Sequence, residues 1–438
     1  FAGESGTAGA VEDGWLATFA DPILDALVAE ALSANRDLAA TSARLDQAAA
    51  FARQAGADLK PQVGYALGAT GAGTADGGTS KAVGAGLTVS WELDVWGRLS
   101  SAQAAAQEEF ASTAADFEFA RQSLAASVAK AYFLLIQAVQ QELIAEAFAE
   151  LQTRNVALVT LRESVGRASA FDVALARSAE ATAKDQVRLA NSGRERAARS
   201  LELLLGRYPK AEMIPEATLP APPPAPPAGL PSELMERRPD LVAATRRVAA
   251  AFNQVESAKA ARLPRLAITA GGGVSSGEFR SLSASDVFWN LGANLLGPIY
   301  DGGRLKEQVV IETARQQEAL AIFGQTALRA FQQVEETLAE ETRLIDRLAL
   351  VTTADAEQGE ALRLSDLRFE AGVIDQVDLL AVQAQALNTR LAVLAIQTQR
   401  LTNRIDLHLA LGGGFEVPPQ ADAPPAGDQN PPAPVKTP

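Results

Sequence analysis

The stretch Leu161-Arg162-Glu163-Ser164-Val165-Gly166, closing six residues on with Asp172, returns later as Leu367-Arg368-Phe369-Glu370-Ala371-Gly372, closing with Asp378. Both pairs are 206 positions apart, since 372 − 166 and 378 − 172 agree. Gly97-Arg98-Leu99 recurs at that offset as Gly303-Arg304-Leu305, and Leu205-Gly206 as Leu411-Gly412. Upstream, Asp37-Leu38, Arg44 and Pro61 return as Asp240-Leu241, Arg247 and Pro264, at an offset of 203 (240 − 37). A repeat this long marks two copies of one large structural unit, not a solenoid of short repeats.

Working outward, Arg98 to Val165 contains no Gly or Pro and is rich in Ala, Glu, Gln, Leu and Arg. The composition predicts a helix of roughly 100 Å at about 1.5 Å per residue. Its copy, Arg304 to Ala371, carries Gly324 and Gly359 as soft points, each costing about 1 kcal/mol relative to Ala. After each turn glycine a second helix runs back, to Gly206 and to Gly412. The later one shows a heptad seam at Val377, Leu380, Ala384, Leu387, Leu391, Leu394, Thr398, Leu401, Ile405 and His408. In the earlier one Arg188, Arg194, Glu195, Arg196 and Arg199 break the seam, which predicts drier packing for the second copy.

Ahead of each long helix the period changes to two. Val63, Tyr65 and Leu67 alternate with Gly64, Ala66 and Gly68, and Val83 to Leu93 alternates in the same way. In the second copy Leu266, Ile268 and Ala270 alternate with Arg265, Ala267 and Thr269, and Trp289, Leu291, Ala293 and Leu295 with Asn290, Gly292 and Asn294. Each run is about 10 residues, the span of a tilted membrane strand, with an apolar outside and a small, polar inside. Tyr65, Trp91, Phe288, Trp289 and Tyr300 are candidate interfacial aromatics. One such run alone reads equally as half of a soluble hairpin. Four of them, joined by Gly/Ser-rich loops at Gly71 to Ser80 and Gly271 to Ser285, read as membrane strands.

Four strands cannot close a barrel, and an open edge in hydrocarbon leaves amides unpaired at several kcal/mol each. A wall of 8, 12 or 16 strands made from several copies is therefore expected, and small inward side chains favour an open lumen. The fold class is mixed α and β: long antiparallel helical hairpins plus a β-barrel shared between protomers. The expected organisation is a first repeat over residues 1–210 with strands near 61–70 and 82–93 and a hairpin over 98–206, then a Pro-rich linker over 211–232. A second repeat over 233–414 follows, with strands near 264–274 and 286–297 and a hairpin over 304–411, then a Pro-rich tail over 415–438. By composition both Pro-rich stretches read as extended spacers or disorder, not core.

The net charge of −14 argues against binding nucleic acid through its phosphates. With 0 Cys, disulfides, thiolate metal sites and a cysteine nucleophile are excluded. No apolar run approaching the 18 or more residues of a membrane helix is evident, so the 47% of hydrophobic residues is spread by period. The start at Phe1 points to a processed or trimmed N-terminus, with any signal peptide or lipid-bearing cysteine removed. His408, the 1 histidine, reads as packing rather than as a ligand. No Ser/His/Asp, phosphate-binding or metal-ligand constellation stands out, so neither catalysis nor a cofactor is expected.

Further marks lie at Trp15, Phe19, Asp21, Leu24 and Leu27, at Asn35-Arg36-Asp37-Leu38, and at Trp91-Glu92-Leu93-Asp94-Val95-Trp96-Gly97-Arg98. The second half adds Arg237-Arg238-Pro239-Asp240-Leu241, Gly297-Pro298-Ile299 and Asp301-Gly302-Gly303-Arg304. In this order and spacing the chain resembles the TolC-like outer-membrane efflux channels, more closely the branch that includes NodT- and OprM-type proteins. The resemblance implies a homotrimer with twelve strands in one outer-membrane barrel and twelve helices in a periplasmic tunnel, the linker and the C-terminal region adding to a belt around it. It implies a periplasmic adaptor and an inner-membrane pump, of resistance-nodulation-division type, as partners of a passive duct for small molecules. Arg237-Arg238-Pro239-Asp240 leans toward that branch, with a type I protein-secretion duct as the alternative and a pore-free coiled-coil scaffold as a third reading.

By the same resemblance the turns bearing Arg162, Gly166, Arg368 and Gly372 meet the adaptor at the periplasmic mouth. A plainer reading makes the glycines positive-φ turn residues and the arginines caps of their own preceding helices. Asp378 matches a position where symmetry gathers carboxylates into a gate ring, with Asp172 as its copy in the outer hairpin and closer to a helix cap. The chain departs from the pattern at Ala381 and Ile374, which puts a second carboxylate ring and a salt-link latch in doubt. Trp96, Gly97, Arg98, Gly303 and Arg304 mark the strand-to-helix junctions.

Overall fold

The structure is a computed structural model, and it describes residues 13–73, 75–76, 79–215, 218–227, 231–276 and 287–416. The Pro-rich stretch Pro418 to Pro438 and the greater part of the Gly271 to Ser285 loop lie outside the described residues. Two compact units divide the chain: residues 1–35, 122–231 and 333–438 form one, and residues 36–121 and 232–332 the other.

The second unit holds α2 (Arg36–Ala57), most of the short α5 (Pro231–Arg237), α6 (Pro239–Ala260) and one antiparallel sheet of β1 (Gln62–Gly73), β2 (Thr79–Leu93), β3 (Arg265–Ser276) and β4 (Val287–Leu296). The strands follow chain order, β1-β2-β3-β4, so the two repeats meet where β2 pairs with β3. Register fixes the faces: Val63 pairs with Val89, Trp91 with Ile268 and Ala270 with Leu291, which puts the apolar alternates on one side. Val63, Tyr65, Leu67, Leu87, Trp289, Leu291 and Leu295 are all exposed there. Gly273 packs so close to β2 that an added Cβ would lie 2.2 Å from the Ala85 carbonyl oxygen. Phe288 departs from the expected interfacial position. It pairs with Gly273 and shares the other face with Asn290 and Gly292, its ring lying over Gly86. Parity decides this, because its neighbour Trp289 takes the apolar side.

The first unit contains a 3-10 turn (Trp15–Phe19), α1 (Pro22–Ala34), α4 (Ala170–Leu204) and α8 (Gln376–Ala410). The two longest helices, α3 (Arg98–Ser164) and α7 (Arg304–Glu370), contribute residues to both units, and α7 runs unbroken through Gly324 and Gly359. Trp15, Leu24, Val28, Phe133, Ile136, Leu201, Leu401 and Ile405 build the main core of the first unit. Phe19 and Phe133 meet at 5.4 Å, while Asp21 caps α1 through the N–H groups of Ile23 and Leu24.

Three expectations need correction. First, α3 and α8 each contain an 18-residue stretch apolar enough by composition to cross a membrane. In α3 that stretch is mostly buried and joins the main core, whereas in α8 most of it is not buried within the chain. Second, the heptad seam of α8 holds from Leu394 to His408 but shifts near the turn. There Gln376, Leu379 and Gln383 are buried while Val377 is exposed.

Third, the linker is not a free spacer. Ala211, Met213 and Leu219 pack on the main core, and Pro223 is buried. The Glu202 carboxylate accepts the N–H groups of Ala211 (2.8 Å), Glu212 (2.8 Å) and Met213 (3.3 Å). Arg404, buried and paired with Glu341 at 2.6 Å, donates to the Pro223 carbonyl. Proline leaves no N–H to satisfy, so such a segment docks wherever side chains serve its carbonyls.

Candidate functional site

The two hairpin turns share one construction. After α3, Gly166 takes φ 72, its N–H reaches the Glu163 carbonyl at 2.9 Å and the Arg167 N–H reaches Arg162 at 2.8 Å. After α7, Gly372 takes φ 74, with Gly372 bonded to Phe369 at 2.9 Å and Val373 to Arg368 at 2.8 Å. This is a Schellman ending, and a left-handed residue at that position favours glycine. An added Cβ would meet nothing within 4 Å at either site, so conformation rather than space selects glycine.

The helix starts that follow differ. Ser169 and Asp172 form a reciprocal capping box, the Asp172 carboxylate accepting both the backbone N–H and the hydroxyl of Ser169 at 2.8 Å. Those bonds hold the Asp172 carboxyl below its usual range. Placed in that box, Asp172 serves as a cap. In the second copy serine is replaced by Asp375, which caps α8 by accepting the Asp378 N–H at 2.9 Å. The reciprocal half of the box is not made here, and among the described residues no donor reaches the exposed Asp378 carboxylate.

Between the turns lies a small apolar cluster of Val159, Val173, Ala176, Phe369 and Leu379, flanked by Ile374. Arg162 is not a cap of its own helix. Its guanidinium sits 4.3 Å from the Phe369 ring centroid and donates to the Phe369 and Glu370 carbonyls at 2.8 and 2.9 Å. It thus closes the C-terminus of α7, where unpaired carbonyls and the helix dipole favour a cation. Arg368 is exposed and makes no equivalent bond among the described residues. Deeper in, Gln152 of α3 donates to Gln383 of α8 at 2.9 Å, a buried cross-link that sequence reasoning missed. Leu161, Val165, Phe171, Leu367, Val373 and Val377 are large apolar side chains exposed around both turns.

The junction residues gather at the helix-side end of the sheet. Arg98 forks onto Glu92 with bonds of 2.9 to 3.0 Å. Asp94 accepts the N–H groups of Leu99 and Ser100 at 2.8 Å, capping α3. Burial alone would raise the Asp94 carboxyl, but these bonds and the Arg98 charge bring it below its usual range. Gly97 supplies φ 76, and the Trp96 indole donates to the Pro264 carbonyl at 2.7 Å. In the second copy Asp301 accepts from Gly303 and Leu305 at 3.0 and 2.9 Å, with Gly303 at φ 90 and Arg304 exposed. Among the described residues no group of acidic or histidine side chains is placed to hold a metal.

An antiparallel sheet with one apolar exposed face, joined to two long helical hairpins, defines the class of outer-membrane efflux channels. The solved outer-membrane channel OprN matches with a TM-score of 0.87 at 28% identity, over 92% of this chain and 93% of that one. The open-state Neisseria gonorrhoeae MtrE outer membrane channel matches with a TM-score of 0.85 at 28% identity, over 94% and 95%. Among curated proteins, the Pseudomonas aeruginosa pyoverdine export outer membrane protein OpmQ is 33% identical over 417 residues, covering 92% of this chain and 87% of the relative. Outer membrane protein OprJ of the same species is 32% identical over 420 residues, covering 92% and 86%. The family model for outer membrane efflux proteins matches residues 27–207 and 230–413. The chain belongs to that family: it is an outer-membrane efflux channel protein, of a family that is not enzymatic.

Proposed function

We propose that three copies close one twelve-stranded wall, forming a passive exit duct for small molecules that a periplasmic adaptor and an inner-membrane pump engage and open. The observation that carries this is the open sheet. In the order β1-β2-β3-β4 the outer edges of β1 and β4 have no strand partner among the described residues, and hydrocarbon makes unpaired edges costly. Antiparallel pairing of one copy's β4 with the next copy's β1 continues the up-and-down order around a ring.

The exposed apolar side chains around the turns are the surface for the adaptor, with Arg162, Gly166, Arg368 and Gly372 shaping it. Asp378, left free by Asp375, narrows the mouth as a ring of carboxylates. Energy comes from the pump, and the mention of pyoverdine export in one relative's name fits a small-molecule cargo.

The test uses the absence of native cysteine. Leu67→Cys on β1 and Leu291→Cys on β4, joined by a bismaleimide in membranes, should give dimers and cyclic trimers on denaturing gels. A monomer-only pattern in protein shown to be membrane-inserted would refute the shared wall.

A further inference from the structure

In register, the face opposite the apolar one carries Gly64, Ala66, Thr88, Ser90, Thr269 and Asn290, and it is neutral along nearly its whole length. Its ionisable side chains among the described strand residues are Glu92 and Arg265, both at the helix-side end. Glu92 is held in the forked pair with Arg98. Arg265 opens β3 opposite Leu296, is exposed, and has no acidic partner among the described residues. Glu92 pairs in register with Ala267, the next residue along the same face from Arg265, so the nearest acid on this wall is already neutralised. In a chain with 53 acidic and 39 basic residues, the described strand residues thus leave one unpaired charge on this surface, and it is positive.

We infer that Arg265 is a specificity-determining residue of the duct, a positive step that receives the carboxylate or phosphate of a small anionic solute as it passes between the helical and stranded sections. The inference rests on the shared-wall reading, which makes this face the lumen and repeats Arg265 around it. Rings of Arg or Lys select anions in pores because a narrow neutral wall leaves their field unopposed.

Planar-bilayer recordings of the full-length protein with inorganic pyrophosphate as the probe test this. Pyrophosphate should lower the wild-type conductance. Half-block should need about tenfold more of it in Arg265→Gln, corresponding to about 1.4 kcal/mol, and Arg265→Lys should restore the wild-type value. Equal block in wild type and Arg265→Gln, or none in either, would overturn the assignment while leaving the β1–β4 cross-link intact. Loss of that cross-link would instead bring down the wall and this inference together.

Discussion

The guanidinium of Arg162 lies over the Phe369 ring and donates to the carbonyls of Phe369 and Glu370, so the end of one hairpin closes a helix of the other. Hydrogen bonds to a charged group contribute about 1.5–3 kcal/mol each, and the ring contact adds about 0.5–1 kcal/mol where exposed. The turn of Leu367 to Asp378 is therefore tied to α3 by one polar side chain, beside the apolar cluster that joins Val159 to Phe369 and Leu379. Arg162→Ala should speed hydrogen exchange in that segment and raise single-channel conductance. Arg162→Lys, which lacks the planar fork, should recover only part of the effect. Unaltered exchange in Arg162→Ala would show that the apolar cluster alone positions the turn.

The two aspartates at equivalent places in the repeats should behave differently. Asp378→Ala removes a free carboxylate, so conductance should rise and block by divalent cations should weaken. Asp172→Ala breaks a capping box, which costs about 1 kcal/mol, and should lower thermal stability with little change in cation block. Bilayer recordings and melting curves on both variants separate gate from cap.

Glu202 ties down the linker. Burial alone would raise its carboxyl, yet the N–H groups of Ala211, Glu212 and Met213 bring it below the usual range. A lowered carboxyl stabilises the fold above its unfolded pKa, and that contribution fades as pH falls through the lower folded value. The linker should therefore stay docked until the pH drops well under the ordinary Glu range. Glu202→Gln should release it at neutral pH, read as proteolysis between Lys210 and Pro227. Resistance equal to wild type would remove Glu202 from this role.

His408 stacks on Trp15 at 5.9 Å, and burial, aided by the Arg404 charge, lowers its pKa from 6.5 to about 4. The unfolded chain then binds a proton that the folded chain refuses. Stability is full above pH 6.5 and falls as the pH goes from there toward 4, by roughly 3 kcal/mol over the range. His408→Leu should flatten that part of the stability curve, monitored by tryptophan fluorescence. A curve parallel to wild type would count against histidine titration.

Much of this was legible in period and punctuation. The alternation of two marked all four strands, Gly166 and Gly372 marked the turns, and the 206-residue offset joined them into equivalent hairpins. What stayed hidden depends on partners remote in sequence. Nothing near Arg162 announces that its acceptors lie at Phe369 and Glu370, and nothing in a run of prolines announces Glu202 and Arg404. Phe288 and Trp289 are equally aromatic, and only register tells which faces which way. Near its start α8 buries Gln383 against Gln152 of α3, a polar match that a hydrophobic heptad does not register.

The unpartnered outer edges of β1 and β4 also bear on inheritance. In the proposed shared wall each polypeptide depends on its neighbours to be sealed, so a copy with one ruined edge would not merely drop out. It enters assemblies beside sound copies and leaves them with a breach. Alleles that spoil β1 or β4 should therefore be dominant over the intact gene, whereas alleles that prevent folding altogether should be recessive.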